Sequence, residues 1–236
     1  MCKQKVVLLK LTGEFLTGDK EAVKSNYIRE LCRQIKELQA SHYFGIVIGG
    51  GNFFRGSRQG EALGMTPNNR DQVGILATLM NGVILQDIFA QEGLDAQLFS
   101  ALECPAIASS ISPQALKFAC RTRDCIIFSG GMGSPFFTTD TTAVVRAIQI
   151  EAKEIWKMTK VDGVYTQDPH AYPDKAELLP RLTYTQALEK KLHIMDESAF
   201  GLARQYRIPI RIFSLFADRS LIRAAHDASF GSLITP

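Results

Sequence analysis

Cys125-Ile126-Ile127-Phe128-Ser129-Gly130-Gly131-Met132-Gly133-Ser134-Pro135-Phe136-Phe137-Thr138-Thr139-Asp140 is the stretch from which the fold of this chain can be read. An apolar run of strand length enters glycines. Asp140 then opens a helical pattern carried by Ala143, Val144, Ala147, Ile148 and Ile150. Strand, glycine turn and helix make one β–α unit. Bare backbone N–H groups, hydroxyls and a helix N-terminus beside one carboxylate suit a phosphate with a metal ion nearby. The same residues also describe a plain tight turn with Asp140 as N-cap. This stretch does not choose between the two, so the choice falls to its surroundings.

Two more strand candidates end the same way. Val6 to Leu11, with Lys10 near its end, runs into Thr12-Gly13, and Phe44 to Ile48 runs into Gly49-Gly50-Gly51-Asn52-Phe53-Phe54-Arg55-Gly56. Between them Ile28, Leu31, Cys32, Ile35 and Leu38 recur at helical spacing, and from Asp71 a long helix is traced by Val73, Leu76, Leu79, Met80, Val83, Ile84 and Ile88. Ala96–Phe99, Glu154–Met158 and Ile208–Phe213 read as further strands. Helices are expected from Ser112-Pro113, from Thr183 with Gln186 as a capping box, after Asp196, and over Leu221–His226. Ser57 to Arg70 reads as a mobile loop and Val161 to Pro180 as a long functional one. Alternating strands and helices predict an α/β fold, a largely parallel sheet covered on both faces. No composition break divides residues 1–236, so a single domain is expected. Ligands of such sheets sit beyond the carboxyl ends of the strands. Three glycine loops on that one edge point to a polyphosphate cleft.

Composition narrows the classes. Lys and Arg are dispersed and the net charge is only +3, which disfavours nucleic-acid binding and suits small anionic substrates. The five cysteines, Cys2, Cys32, Cys104, Cys120 and Cys125, are odd in number and never spaced as C-x-x-C, so neither a disulfide framework nor a zinc site is supported. No uninterrupted apolar run approaches a membrane span, and the N-terminus lacks a signal-peptide core; a cytoplasmic location is expected.

The familiar phosphate signatures are absent. There is no G-x-x-x-x-G-K-[ST], and neither glycine region completes G-x-G-x-x-G, because Phe54 and Phe136 hold the last positions. The protein-kinase set is missing as well. Phosphoryl transfer needs cations on the moving group, an aligned acceptor and a held magnesium ion. Lys10 and Arg55 can supply charge, with Lys160 a weaker third; Asp140 is the best placed carboxylate for a metal and Asp196 the second. Each has a plainer reading: Lys10 as a strand-end lysine in water, Asp71 and Asp196 as helix caps, Arg55 as a solvated loop residue. His42, His170, His193 and His226 fall in no pattern and are given no chemistry.

Taken together, Lys10-Leu11-Thr12-Gly13-Glu14, Ile48 to Gly56, Leu76 to Gly82, Pro135 to Asp140 and Thr159 to Tyr165 with Asp168-Pro169 resemble the bacterial UMP kinases (uridylate kinases) of the amino acid kinase superfamily. The likeness runs from about Lys5 to Thr235. It implies a three-layer α/β/α sandwich that passes the γ-phosphate of ATP to UMP, giving UDP and ADP for pyrimidine nucleotide synthesis, with Mg2+ and as a homohexamer. By the same resemblance Lys10, Leu11, Thr12, Gly13, Gly51, Arg55, Thr159, Tyr165 and Asp168 would hold ATP. Gly50, Asp71, Met132, Gly133, Ser134, Pro135, Phe136, Phe137, Thr138 and Thr139 would hold UMP. Lys10, Arg55 and Asp140 would be catalytic, with Asp140 reaching Mg2+ through the phosphates. The chain departs from the family pattern at Met132, Ser134, Leu16–Asn26 and Met65–Arg70. Rival readings are a kinase of carboxylates or carbamate, and a nucleotide-binding protein without turnover.

Overall fold

The computed structural model describes residues 4–17, 25–169, 171–192 and 194–236. Cys2, His170, His193 and part of the Leu16–Asn26 segment lie outside them. Strand β1 (Lys5–Leu11) is apolar on both faces, the pattern of a central parallel strand. It pairs in parallel with β2 (His42–Ile48) on one side and β6 (Glu154–Thr159) on the other. Outward from β2 lie β5 (Cys125–Ser129), β3 (Ala96–Ser100) and the two-residue β4 (Ser109–Ser110); outward from β6 lie β8 (Ile210–Ser214), β9 (Ser232–Thr235) and β7 (Arg181–Thr183). Only the β8–β9 junction is antiparallel. The strand order reverses at β1, and crevices in open α/β sheets form at such a switch.

Alternation along the strands sends side chains into two cores. Val7, Leu9 and Leu11 pack with Ile28, Leu31 and Ile35 of α2 (Ser25–Leu38) and Phe89 of α3 (Pro67–Gln91). Leu8 faces the opposite core with Val144 and Ala147 of α5 (Thr139–Gln149) and Ala199 and Ala203 of α7 (Glu197–Gln205). The layers are therefore helix, sheet, helix, the sandwich expected from sequence. Short α1 (Glu14–Thr17) and α8 (Ser220–His226) join the first layer; α4 (Pro113–Thr122) and α6 (Tyr184–Glu189) join the second.

Several boundaries differ from the sequence reading. Within residues 57–70, read as a loop, Gly56–Gly60 forms one wide helical turn, and α3 begins at Pro67 with Thr66 as its cap. Thr66-Pro67 is an ordinary cap-plus-N1 signal, hidden by the polar residues around it. Asp71 lies inside α3 and caps nothing. β8 starts at Ile210, after Pro209, which has no N–H for the ladder. By length and composition α3 is the one helix among the described residues apolar enough to cross a membrane; half of its apolar window is buried inside the fold, against β3 and β5.

Candidate active site

Lys10 and Lys157 stand directly opposite each other in the β1–β6 register, on the face that carries α5. Two ammonium groups at adjacent register positions repel. Asp140, in the first turn of α5, relieves this: its Oδ1 lies 2.9 Å from Lys10 Nζ and its Oδ2 2.8 Å from Lys157 Nζ. Lys157 also donates to the Ile194 carbonyl at 2.5 Å. Burial alone would raise the Asp140 carboxyl, but the charges of Lys10 and Lys157 outweigh it and hold it below the ordinary value. Lys157 is pushed below the ordinary lysine value, first by burial, against the opposing pull of Asp140. Lys157 escaped the sequence reading. The available signal was a lysine inside the otherwise apolar run Ile155-Trp156-Lys157-Met158, which is legible as a site only once its register with Lys10 is known.

The glycine loops converge at the carboxyl ends of β1, β2 and β5. A Cβ on Gly13 would sit 2.7 Å from the Gly49 carbonyl and collide with Asn52 Oδ1, so the first two loops touch only because residue 13 has no side chain. Fully buried Asn81 on α3 donates to the Gly49 carbonyl at 2.7 Å and exchanges amide hydrogen bonds with Asn52. Thr78, one turn earlier, accepts from Gly130 N–H at 2.9 Å. Arg146 of α5 donates to the Gly131 carbonyl at 3.1 Å, and burial lowers its guanidinium to about 10. Asn81, Thr78 and Arg146 thus brace the loops from behind. Thr12 Oγ1 is buried in the first loop without a hydrogen-bond partner among the described residues, a ready donor for an anionic oxygen.

Two clefts open beside the Lys10–Asp140–Lys157 cluster. One, about 350 Å³, is lined by Gly50, Gly51, Asp71, Phe137, Thr138 and Thr139 among others. The second, about 540 Å³, contains Lys157, Thr159, Tyr165 and Asp168. Tyr165 donates to Asp162 Oδ1 at 2.6 Å, a bond that pushes its phenol up to about 12. Met132 to Phe136 do not line the first cleft. They form an outer loop, closed by Gly133 N–H to the Gly130 carbonyl at 2.9 Å and tied down where Phe136 N–H donates to Asp71 Oδ2 at 2.7 Å. Phe136 is left-handed at φ 71°, an unusual state for an aromatic residue.

Three of the candidate residues have further partners in the fold. The cap of α5 is Thr138, which accepts from the N–H groups of Asp140 and Thr141; Asp140 faces the lysines instead. Asp196 caps α7 by accepting from Ala199 N–H at 2.8 Å. The same carboxylate accepts from the hydroxyls of Thr138 and Thr141, so it ties α7 to the start of α5. Arg55 does not line the first cleft. It pairs with Glu14, which also binds Lys160 at 2.7 Å. Glu14 thereby gathers two of the expected cations at the mouth, a role the sequence reading did not give it. Leu11 is wholly buried, so only its backbone is offered to a ligand.

A sequence profile of the amino acid kinase family matches residues 5–214. The chain is 41% identical over 234 residues to a uridylate kinase of Mannheimia succiniciproducens, covering 98% of each, and 38% identical over 235 residues to that of Thermotoga maritima, covering 98% of this chain and 99% of the relative. Among solved structures it resembles the UMP kinase of Ureaplasma parvum, with a TM-score of 0.94 at 27% identity over 99% of this chain and 100% of the other. It also resembles the UMP kinase of Bacillus anthracis, with a TM-score of 0.90 at 28% identity over 98% and 96%. Fold, converging loops and near full-length identity agree: the chain belongs to the amino acid kinase family, and within it to the uridylate kinases.

Proposed function

We propose that this chain transfers the γ-phosphate of ATP to UMP, giving UDP and ADP in pyrimidine nucleotide synthesis. The observation that carries the reading is the Lys10–Asp140–Lys157 cluster beside two clefts at one sheet edge. The larger cleft, with Thr159, Tyr165 and Asp168, takes the adenosine half; the smaller, with Gly50, Asp71 and Thr138, takes UMP. Transfer is direct and in line. A phosphate oxygen of UMP is already anionic, so no general base is required, and catalysis rests on alignment and charge neutralisation. Lys10 and Lys157 give their N–H donors to the moving group's oxygens, while Asp140 keeps both ammonium groups aimed into the gap. Thr12 Oγ1 and the bare N–H groups of Gly13 and Gly51 add uncharged donors.

Magnesium fits as an ion carried by the phosphates. Among the described residues no three His, Cys, Asp or Glu side chains cluster as a protein cage, and magnesium characteristically takes one or two carboxylates plus substrate oxygens. Asp140 is the carboxylate that would face it, and the ion would supply positive charge to the phosphate oxygens. The assembly proposed is a homohexamer in the cytoplasm, with residues 1–236 acting as one unit. One sheet draws strands from both ends of the chain, and Leu76, Met80 and Val83 form an exposed apolar stripe on α3. ADP release with Mg-ATP and UMP, CMP, N-acetylglutamate or carbamate tests the function. UMP-selective turnover is expected. Turnover with a carboxylate or carbamate alone, or nucleotide binding without turnover, would refute it.

A further inference from the structure

Taking the 350 Å³ cleft as the acceptor site, we propose that Arg70 is a specificity-determining residue, the cation that recognises the phosphate of the nucleoside monophosphate. The inference rests on the proposed function and deepens it. Among the described residues lining that cleft, Arg70 carries the only positive charge; its neighbours there are glycines, apolar groups, threonines and the acidic Asp71. Arg55, the cation that the motif suggests, pairs with Glu14 and does not line the cleft. An anionic acceptor entering beside Asp71 therefore meets one offsetting charge within the lining, and Arg70 supplies it.

The arginine is also built in. A Cβ on Gly60 would lie 2.5 Å from Arg70 Cγ, and one on Gly56 would lie 3.3 Å from Arg70 Cβ. Glycine at both ends of the turn therefore lets Gly56–Gly60 close directly onto the arginine's aliphatic stem. Its side chain is only 20% exposed, while its partner Glu61, 2.8 Å away, is 62% exposed. A carboxylate that wet is a weak, displaceable counter-ion. The guanidinium has five N–H donors in a planar fork that matches a phosphate face, and Glu61 occupies one of them. Glu61 thus holds Arg70 in place until a stronger anion takes it.

Calorimetric titration of the full chain with UMP, uridine, ATP and inorganic phosphate reads charge recognition without needing turnover. Wild type should bind UMP more tightly than uridine. Arg70→Met keeps an unbranched stem against Gly56 and Gly60. It should weaken UMP by about tenfold to a hundredfold, abolish phosphate binding in the cleft and leave uridine and ATP unchanged. Arg70→Lys should restore part of the loss, and Glu61→Gln should tighten UMP. An unchanged UMP-to-uridine ratio in Arg70→Met, or equal weakening of UMP and ATP, would overturn the assignment. If wild type releases no ADP with UMP but Arg70→Met still loses phosphate binding, the choice of UMP fails and the arginine's role stands.

Discussion

Asp140 forms ion pairs with two lysines in a setting that would otherwise disfavour its charge, so its ionisation is coupled to folding. Its carboxyl is lower in the fold than the ordinary value of about 3.9. The stability it contributes is therefore complete above that value and is lost as pH falls through the lower folded value. Melting curves of wild type and Asp140→Asn between pH 6 and pH 3 should show this. Wild type should lose stability on acidification that the variant does not lose, and parallel curves would contradict the coupling. Glu14 gives a second residue-scale expectation. Its carboxylate occupies Arg55 and Lys160 at the mouth, so Glu14→Gln should free those cations and lower the Kd for tripolyphosphate by calorimetry. Weaker binding in the variant would show that the pairing serves only to hold the fold. At this scale the sequence was partly legible. Lys10 stood out because a lysine in a buried strand beside glycine has few other uses. Lys157 and Arg70 did not, because one depends on cross-strand register and the other on the packing of a distant turn.

The elements around the glycine loops are held by buried polar groups on helices. Asn81 spans α3 and the second loop with three hydrogen bonds, and none of its surface is exposed. Asn81→Ala strands the Gly49 carbonyl and Asn52, at a cost of about 1–3 kcal/mol. Denaturant titration should show a lower midpoint, and the loosened loops should raise the KM for both nucleotides. An unchanged midpoint would mean that water or a neighbour replaces the amide. Strand and helix existence was readable from apolar runs in β1, β2 and β5 and from helical period in α2 and α5. The short strands β4, β7 and β9 have two to four residues and show no period, so their pairing follows only from the folded sheet. The start of α3 is obscured in the sequence because Ser57–Arg70 is rich in polar and breaker residues, and the wide turn at Gly56–Gly60 packs on Arg70 only in the fold.

Over the whole molecule, reversal of strand order at β1 puts Lys10 between β2 and β6 and lets two clefts flank one point. Convergence of the three loops followed from the sequence once the strands were taken as parallel; the clefts themselves required side-chain packing. Leu76, Met80 and Val83 remain exposed along α3, an apolar stripe that suits contact between copies. Met80→Lys should shift the sedimentation profile toward smaller species with the fold intact, whereas an unaltered profile would remove this stripe from the proposed assembly.

The most direct test of the central claim is steady-state ADP release with Mg-ATP and UMP for wild type, Lys10→Ala and Lys157→Met. Each lysine is a preorganised charge donor, so each variant should lose on the order of a hundredfold or more in kcat. The KM for UMP should stay close to wild type. Near-normal turnover in either variant, in a protein that still melts as wild type does, would contradict the assignment of Lys10, Asp140 and Lys157 as the place where the two nucleotides meet.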